Sequence, residues 1–288
     1  MALIALLLLG AGALVILSNP RHRAFHLGLM GATRGASGLT TAAALSLAGS
    51  PLLEAGRGTA VAEARNPTPD AEGRVRVPVA DWLPARLPSS GAPAGWRIAA
   101  FTGDASVELV RNEGRVAMRL RSERTSFAMH RDVVVDLQRH PILTWSWKVN
   151  RLPAGGDVRD SRRDDQAAQV YVVFPRWPSP RTSSDVLGYV WDARAPAGTR
   201  LTHPKAPNVR IVVLQSGGAR LDTWVREQRN VAEDYRALFG RQPLRVGKVA
   251  LMIDSNDTRS AAEALFGDLT FARPGSPQHT EIPMAVLR

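Results

Sequence analysis

From Trp96 to Phe271 this chain keeps returning to stretches in which apolar and polar side chains alternate residue by residue, and that period decides the fold class. Successive side chains of an extended strand point to opposite faces, so a period of two buries one face of a sheet and leaves the other wet. Arg115 to Arg121 places Val116, Met118 and Leu120 on one face and Arg115, Ala117, Arg119 and Arg121 on the other. In Ile142 to Val149, Leu143, Trp145, Trp147 and Val149 share a face, opposite Thr144, Ser146 and Lys148. Further strand-like runs are Trp96–Phe101, Ser106–Arg111, Val133–Leu137, Gln169–Phe174, Val186–Trp191, Val209–Gln215, Val246–Asp254 and Leu265–Phe271. About ten strands joined by polar turns predict an all-β, antiparallel β-sandwich rather than a βαβ array.

One or two short helices are expected beside the sheets. Asn230 followed three residues later by Glu233 makes a capping-box-like start, Val231, Tyr235, Leu238 and Phe239 fall on one face, and Gly240 supplies the stop. The long loops fall where proline clusters, at Pro175 to Pro180 and Pro196 to Pro207. Loops on a rigid scaffold are the usual place for binding surfaces.

The N-terminus follows different rules. Ala2 to Leu17 is almost wholly aliphatic, but sixteen helical residues rise only about 24 Å, slightly short of a hydrocarbon core. Arg21, Arg23 and Arg34 then precede a weaker apolar stretch from Gly35 to Leu53. If both stretches cross a membrane, the positive-inside rule sends everything after Leu53 outward. If translation starts at Met30 instead, Gly38 to Ala48 becomes a signal h-region with A-x-A cleavage sites at Ala60 to Ala62 and Ala62 to Ala64. Either reading exports the rest, to the periplasm or cell envelope, with inner-membrane anchoring open. The expected organisation is an anchor or signal region over 1–55, a flexible linker over 56–74, a β-sandwich domain over 75–273 and a C-terminal tail over 274–288.

Composition excludes several chemistries. There is no cysteine, which removes disulfides, thiolate nucleophiles and thiolate metal sites together. The formal charge of +11 would suit a polyanion binder, but the arginines are scattered among acids rather than gathered in a block, so no nucleic-acid partner is expected. P-loop, dinucleotide-fingerprint and Gly-x-Ser-x-Gly patterns are missing, and no His-x-x-x-His or His-x-His pair occurs in the domain.

A set of segments in fixed order carries a family resemblance: Trp145-Ser146-Trp147-Lys148-Val149, Asp164-Asp165-Gln166-Ala167-Ala168, Val170-Tyr171-Val172-Val173-Phe174, Gly188-Tyr189-Val190-Trp191 and Asp254-Ser255-Asn256-Asp257-Thr258. Over about Trp96 to Phe271 the chain resembles the bacterial domain-of-unknown-function family 3047. That resemblance implies an exported bacterial protein whose sandwich is similar to carbohydrate-binding or galactose-binding-like jelly rolls, and it implies no particular activity.

The remaining candidates are acidic and aromatic. Asp157, Asp160, Asp164 and Asp165 lie among Arg159, Arg162 and Arg163, so an ion-pair network is the default reading; calcium is the sharper one, and Asp254, Asn256 and Asp257 offer a second oxygen-rich turn for it. Trp191, closing a strand beside Asp192 and Arg194 and opening onto a Pro-rich loop, is the expected sugar-stacking ring, with Tyr189 and Tyr171 nearby; Trp145 and Trp147 belong in a core. The expected function is non-catalytic binding of a carbohydrate-like or other polar ligand by Trp191, Tyr189, Asp192, Arg194, Tyr171, Asp164 and Asp165. A glycan-active hydrolase or lyase needs a carboxylate pair that no motif specifies, and a structural envelope protein binding a protein partner is the third reading.

Overall fold

A computed structural model describes residues 67–88, 90–176, 184–243 and 245–276; the expected leader and most of the linker and tail lie outside these. Its strands, in chain order, are β1 (Val75–Val77), β2 (Arg97–Thr102), β3 (Ser106–Asn112), β4 (Arg115–Glu123), β5 (Ser126–Val135), β6 (Ile142–Arg151), β7 (Ala168–Phe174), β8 (Asp185–Asp192), β9 (Arg200–Thr202), β10 (Val209–Ser216), β11 (Val225–Asn230), β12 (Val246–Asp254), β13 (Ala261–Phe266) and β14 (Leu269–Ala272). They form two seven-stranded sheets. In the first, β13 and β14 run in succession along one edge of β6 while β11 pairs with its other edge; β4 and β3 continue from β13, and β1 flanks β14. The second is ordered β2-β5-β12-β7-β8-β10-β9.

The two-residue alternation explains how the sheets meet. Leu143, Trp145, Trp147 and Val149 of β6 point inward and are buried. Trp145 meets Tyr189 of β8 at 5.3 Å between ring centroids, and Trp147 meets Trp191 at 6.2 Å, so rings from opposite sheets interlock. Tilted and edge-on pairs at such spacings add roughly 0.5–1.5 kcal/mol beyond the area they bury. Met118, Leu120, Phe127, Met129, Leu251 and Phe266 belong to the same core.

β7 and β8 are buried on both faces, because loop residues Val158, Ala195 and Ala206 pack with Tyr171, Val190 and Ile211 in a second apolar layer. Among the described strands the one departure from antiparallel order is the β8–β10 pair, which is parallel. A parallel neighbour cannot be reached by a tight hairpin, so the chain takes a long return through β9 before β10 begins. That excursion covers part of the second sheet's outer face.

A single helix occurs among the described residues, α1 (Val231–Phe239), with the expected caps. The Asn230 side chain accepts the Glu233 backbone N–H at 3.2 Å, and left-handed Gly240 donates its N–H to Arg236 O at 2.9 Å. Tyr189 donates its hydroxyl to Asp234 at 2.9 Å and Tyr235 donates to Asp185 at 2.5 Å, which fastens α1 to β8.

Candidate functional site

On the outer face of the second sheet, residues from distant parts of the chain converge on one small pocket. β12 supplies Met252 and Asp254, β7 supplies Gln169 and Tyr171, and Phe101 of β2 and Ser126 of β5 complete the strand-borne wall. The loop before β7 adds Asp164 and Gln166, the return after β9 adds His203 and Lys205, and the turn after β12 adds Asn256 and Asp257. The cavity measures about 60 Å³, room for a few water molecules or one small polar group.

Its charges are organised around Lys205. The ammonium lies 2.7 Å from Asp257 Oδ2 and 3.3 Å from Asp164 Oδ2, and Asp164 is also 3.0 Å from His203 Nε2. His203 Nδ1 accepts the Lys205 backbone N–H at 3.2 Å, which assigns the Nε2 proton to the side facing Asp164. Asp165 points away from the pocket and builds its rim: it accepts the N–H groups of Asp257 and Thr258 at 3.1 and 2.5 Å and the Thr258 hydroxyl at 2.6 Å.

A hydrogen-bonded line runs along the floor. Tyr171 donates to Gln169 Oε1 at 2.6 Å, and Gln169 Nε2 donates to Asp254 Oδ1 at 3.1 Å, where the Gln166 N–H also donates at 2.6 Å. Both bonds fall on Oδ1, leaving Oδ2 as the carboxyl oxygen turned to neither donor.

Two of the three pocket carboxyls are displaced in opposite directions. Burial, then the neighbouring Asp165 and Asp164, push Asp254 well above the usual carboxylate range. Burial would raise Asp164 as well, but His203 and Lys205 more than offset it and hold that carboxyl below its ordinary value. One pocket therefore holds a carboxyl whose surroundings favour its proton beside one whose surroundings favour its charge.

Of the residues singled out in the sequence, Asp164, Tyr171, Asp254, Asn256 and Asp257 meet here, and Asp165 supports them. Trp191, Tyr189, Asp192 and Arg194 do not. Trp191 is 1% exposed, packs on Trp147 and donates its indole N–H to Gly217 O at 3.0 Å, so it presents no face to a sugar; Tyr189 is equally enclosed. Asp192 is turned inward to accept three backbone N–H groups, those of Val158, Arg194 and Ala195, and Arg194 is exposed with its guanidinium beside Gly155.

At the oxygen-rich turn offered for calcium, Lys205 lies 2.7 Å from Asp257, and among the described residues no group of three or more His, Asp or Glu is arranged to hold a metal. The ion-pair reading of the preceding loop holds for Asp157 with Arg159 and Asp160 with Arg162, while Asp164 and Asp165 turn inward. His203, Lys205, Gln166 and Gln169 were not singled out as site residues in the sequence; Gln166 appeared there only within a family-resemblance segment and Gln169 only as a strand start, and His203 and Lys205 were marked by no more than a His-x-Lys pair within the proline-bounded loop.

No curated protein matches the chain. Among solved structures, the glycoside hydrolase domain of Endo-D from Streptococcus pneumoniae R6 aligns at TM-score 0.31 and 10% identity over 62% of this chain, which spans 21% of that one. The K1 cleaved adhesin domain of Lys-gingipain from Porphyromonas gingivalis W83 aligns at 0.35 and 11%, covering 70% of this chain and 99% of its own. The endoglucanase cel12A from Rhodothermus marinus aligns at 0.37 and 11%, covering 68% and 97%. A family model described as a protein of unknown function (DUF3047) matches residues 94–270, and the chain belongs to that family.

Proposed function

We propose that the outer-face pocket of the second sheet binds a neutral, hydroxyl-rich ligand, a carbohydrate or a similar polyol, on a jelly-roll-like sandwich exported to the cell envelope. The observation that carries this reading is geometric: Asp164 and Asp254 line one pocket with Lys205, Gln169 and Asp257, so donors and acceptors converge there, and the surroundings of the two first-named carboxyls shift them in opposite directions. A sugar hydroxyl both donates and accepts. Lys205 supplies donors to it, Asp164 and Asp257 supply acceptors, and Asp254, whose burial favours the protonated form, adds a further donor in that form, so neighbouring hydroxyls are satisfied without a net ionic attraction. The cavity admits one hydroxymethyl or ring edge, with the rest of the ligand lying over Phe101 and Met252.

The test is a glycan array with the purified protein, followed by calorimetry on the strongest ligands. Asp164→Ala and Asp254→Ala are each expected to weaken binding at least tenfold, since a buried charged or donor contact is worth about 1.5–3 kcal/mol. Silence on every glycan and polyol would overturn the reading.

The same pair favours a second reading, acid–base cleavage of a glycosidic bond, with Asp254 as the proton donor and Asp164 as the ionised partner. Asp254→Asn separates the two. Retained binding with lost product release would establish catalysis, whereas binding without any release from the parent protein would restrict the pocket to recognition.

A further inference from the structure

We infer that the outer face of the first sheet is a second, separate binding site, for an acidic oligosaccharide. The register of four neighbouring strands lays out its floor. Gln228 of β11 sits opposite Thr144 of β6, Thr144 opposite Thr270 of β14, and Thr270 opposite Arg76 of β1. Residues paired in this way share a face, so one row of polar side chains crosses the sheet from β11 to β1, three inter-strand steps or about 14 Å. One step along, Arg226 pairs with Ser146 on the same face.

This floor lies in a cavity of about 360 Å³, within the roughly 300–1,000 Å³ that ligand sites occupy. Four arginines line it, Arg226 on the β11 side and Arg74, Arg76 and Arg273 on the β1–β14 side, against two aspartates, Asp70 and Asp268. Acids order two of the four. Asp70 accepts Arg74 Nε at 2.9 Å and the Arg74 backbone N–H at 2.7 Å, Glu72 accepts Arg74 Nη2 at 2.7 Å, and Asp268 accepts Arg76 Nη2 at 2.5 Å and the Val79 N–H at 2.8 Å. A guanidinium held in place loses less freedom when it meets an anion; the Nε–Nη2 edges of Arg74 and Arg76 are taken up by these acids, so a two-bond grip on a carboxylate or sulfate falls to Arg226 and Arg273.

The chemistry of the floor selects among anions. Thr144, Ser146 and Thr270 hydroxyls and the Gln228 amide are suited to sugar hydroxyls. A single-stranded nucleic acid would call for exposed rings on which bases stack. The aromatic residue lining this cavity, Trp145, is buried with its ring turned into the core. The arrangement fits a chain that alternates acidic groups with hydroxyls and can reach both arginine rims at once.

The test uses the full chain in detergent, titrated at about 0.15 M salt, where unpaired long-range attraction is largely screened. The probes are oligogalacturonate, a sulfated heparin oligosaccharide, neutral cello-oligosaccharide and inorganic polyphosphate. One or both acidic saccharides are expected to bind, and the neutral one to bind far more weakly in the presence of the intact arginines. The double variant R226E/R273E, two exposed side chains, is expected to lose acidic-saccharide binding at least tenfold with its thermal melt unchanged. Thr144→Val, which leaves every charge in place, is expected to lower saccharide affinity several-fold and leave polyphosphate untouched. Unaltered saccharide binding by R226E/R273E, or polyphosphate matching the saccharides with both indifferent to Thr144→Val, overturns the inference; in the latter case the face is merely a basic field.

Discussion

A Cβ placed on Gly188 would lie 2.6 Å from Cε1 of Tyr171 and equally close to Cδ1 of Ile211, so the missing side chain on β8 is what lets the Tyr171 ring lie across the sheet. Gly188→Ala is therefore expected to destabilise the fold by about 1–3 kcal/mol through overpacking, and to pull the Tyr171 hydroxyl from Gln169. Denaturant unfolding measures the first effect and ligand titration the second. An unchanged midpoint together with unchanged binding would show that the ring is not pinned there.

Asp254 gives a pH signature. Its folded-state titration lies well above 3.8, and its unfolded one near 3.8, so between those values the unfolded chain releases a proton the folded chain keeps. Stability falls as pH rises through that window. Asp254→Asn removes the effect, so its melting temperature is expected to match the parent below pH 3.8 and exceed it towards neutrality. A variant that melts lower than the parent at neutral pH would mean that the carboxyl is ionised when folded.

Asp165 holds the rim by accepting from Asp257, from the Thr258 backbone and from the Thr258 hydroxyl. Removing it with Asp165→Ala leaves two part-buried N–H groups without their acceptor and is expected to cost about 1–3 kcal/mol. Because Asp257 rides on that rim, ligand affinity should fall even where the variant is fully folded. Chemical denaturation and calorimetry at a temperature well below the melt keep the two losses apart.

His130 makes the opposite contribution on the acid side. Burial first, then the charges of Lys248 and Arg97, lower its titration from 6.5 to about 3. Below pH 6.5 the unfolded chain takes up a proton the folded chain refuses, so stability is lost progressively as pH falls from 6.5 towards 3. His130→Gln is expected to flatten the stability curve across that interval. A curve that keeps the parental slope assigns the acid loss to other groups.

The parts of this fold set by local rules were legible in the sequence. Alternation placed Trp145 and Trp147 inward, and the Asn230 and Gly240 caps bounded α1, because strand faces and helix ends depend on neighbours within a few residues. The carboxylates were visible as candidates for the same reason, as acids bordering strands. Trp191 misled because its polar neighbours suggested exposure, whereas Asp192 faces inward to hold backbone N–H groups. His203 and Lys205 were out of reach, since nothing near them in the chain indicates that the β9–β10 connection folds back over Asp164 and Asp257. The parallel β8–β10 pair is equally a long-range outcome, set by how the second sheet completes its edge.

That pair separates two jobs along the chain. Because β8 and β10 are paired from Val186/Val209 to Asp192/Ser216, with one register shift between Val213 and Gln215, the segment between them is a cassette clamped at both ends, and its middle carries His203 and Lys205. Exchanging that cassette changes the partners offered to Asp164 and Asp257 while leaving the tryptophan-lined interior alone. The charge lining of this pocket is thus written in one stretch of sequence, apart from the residues that close the sheets.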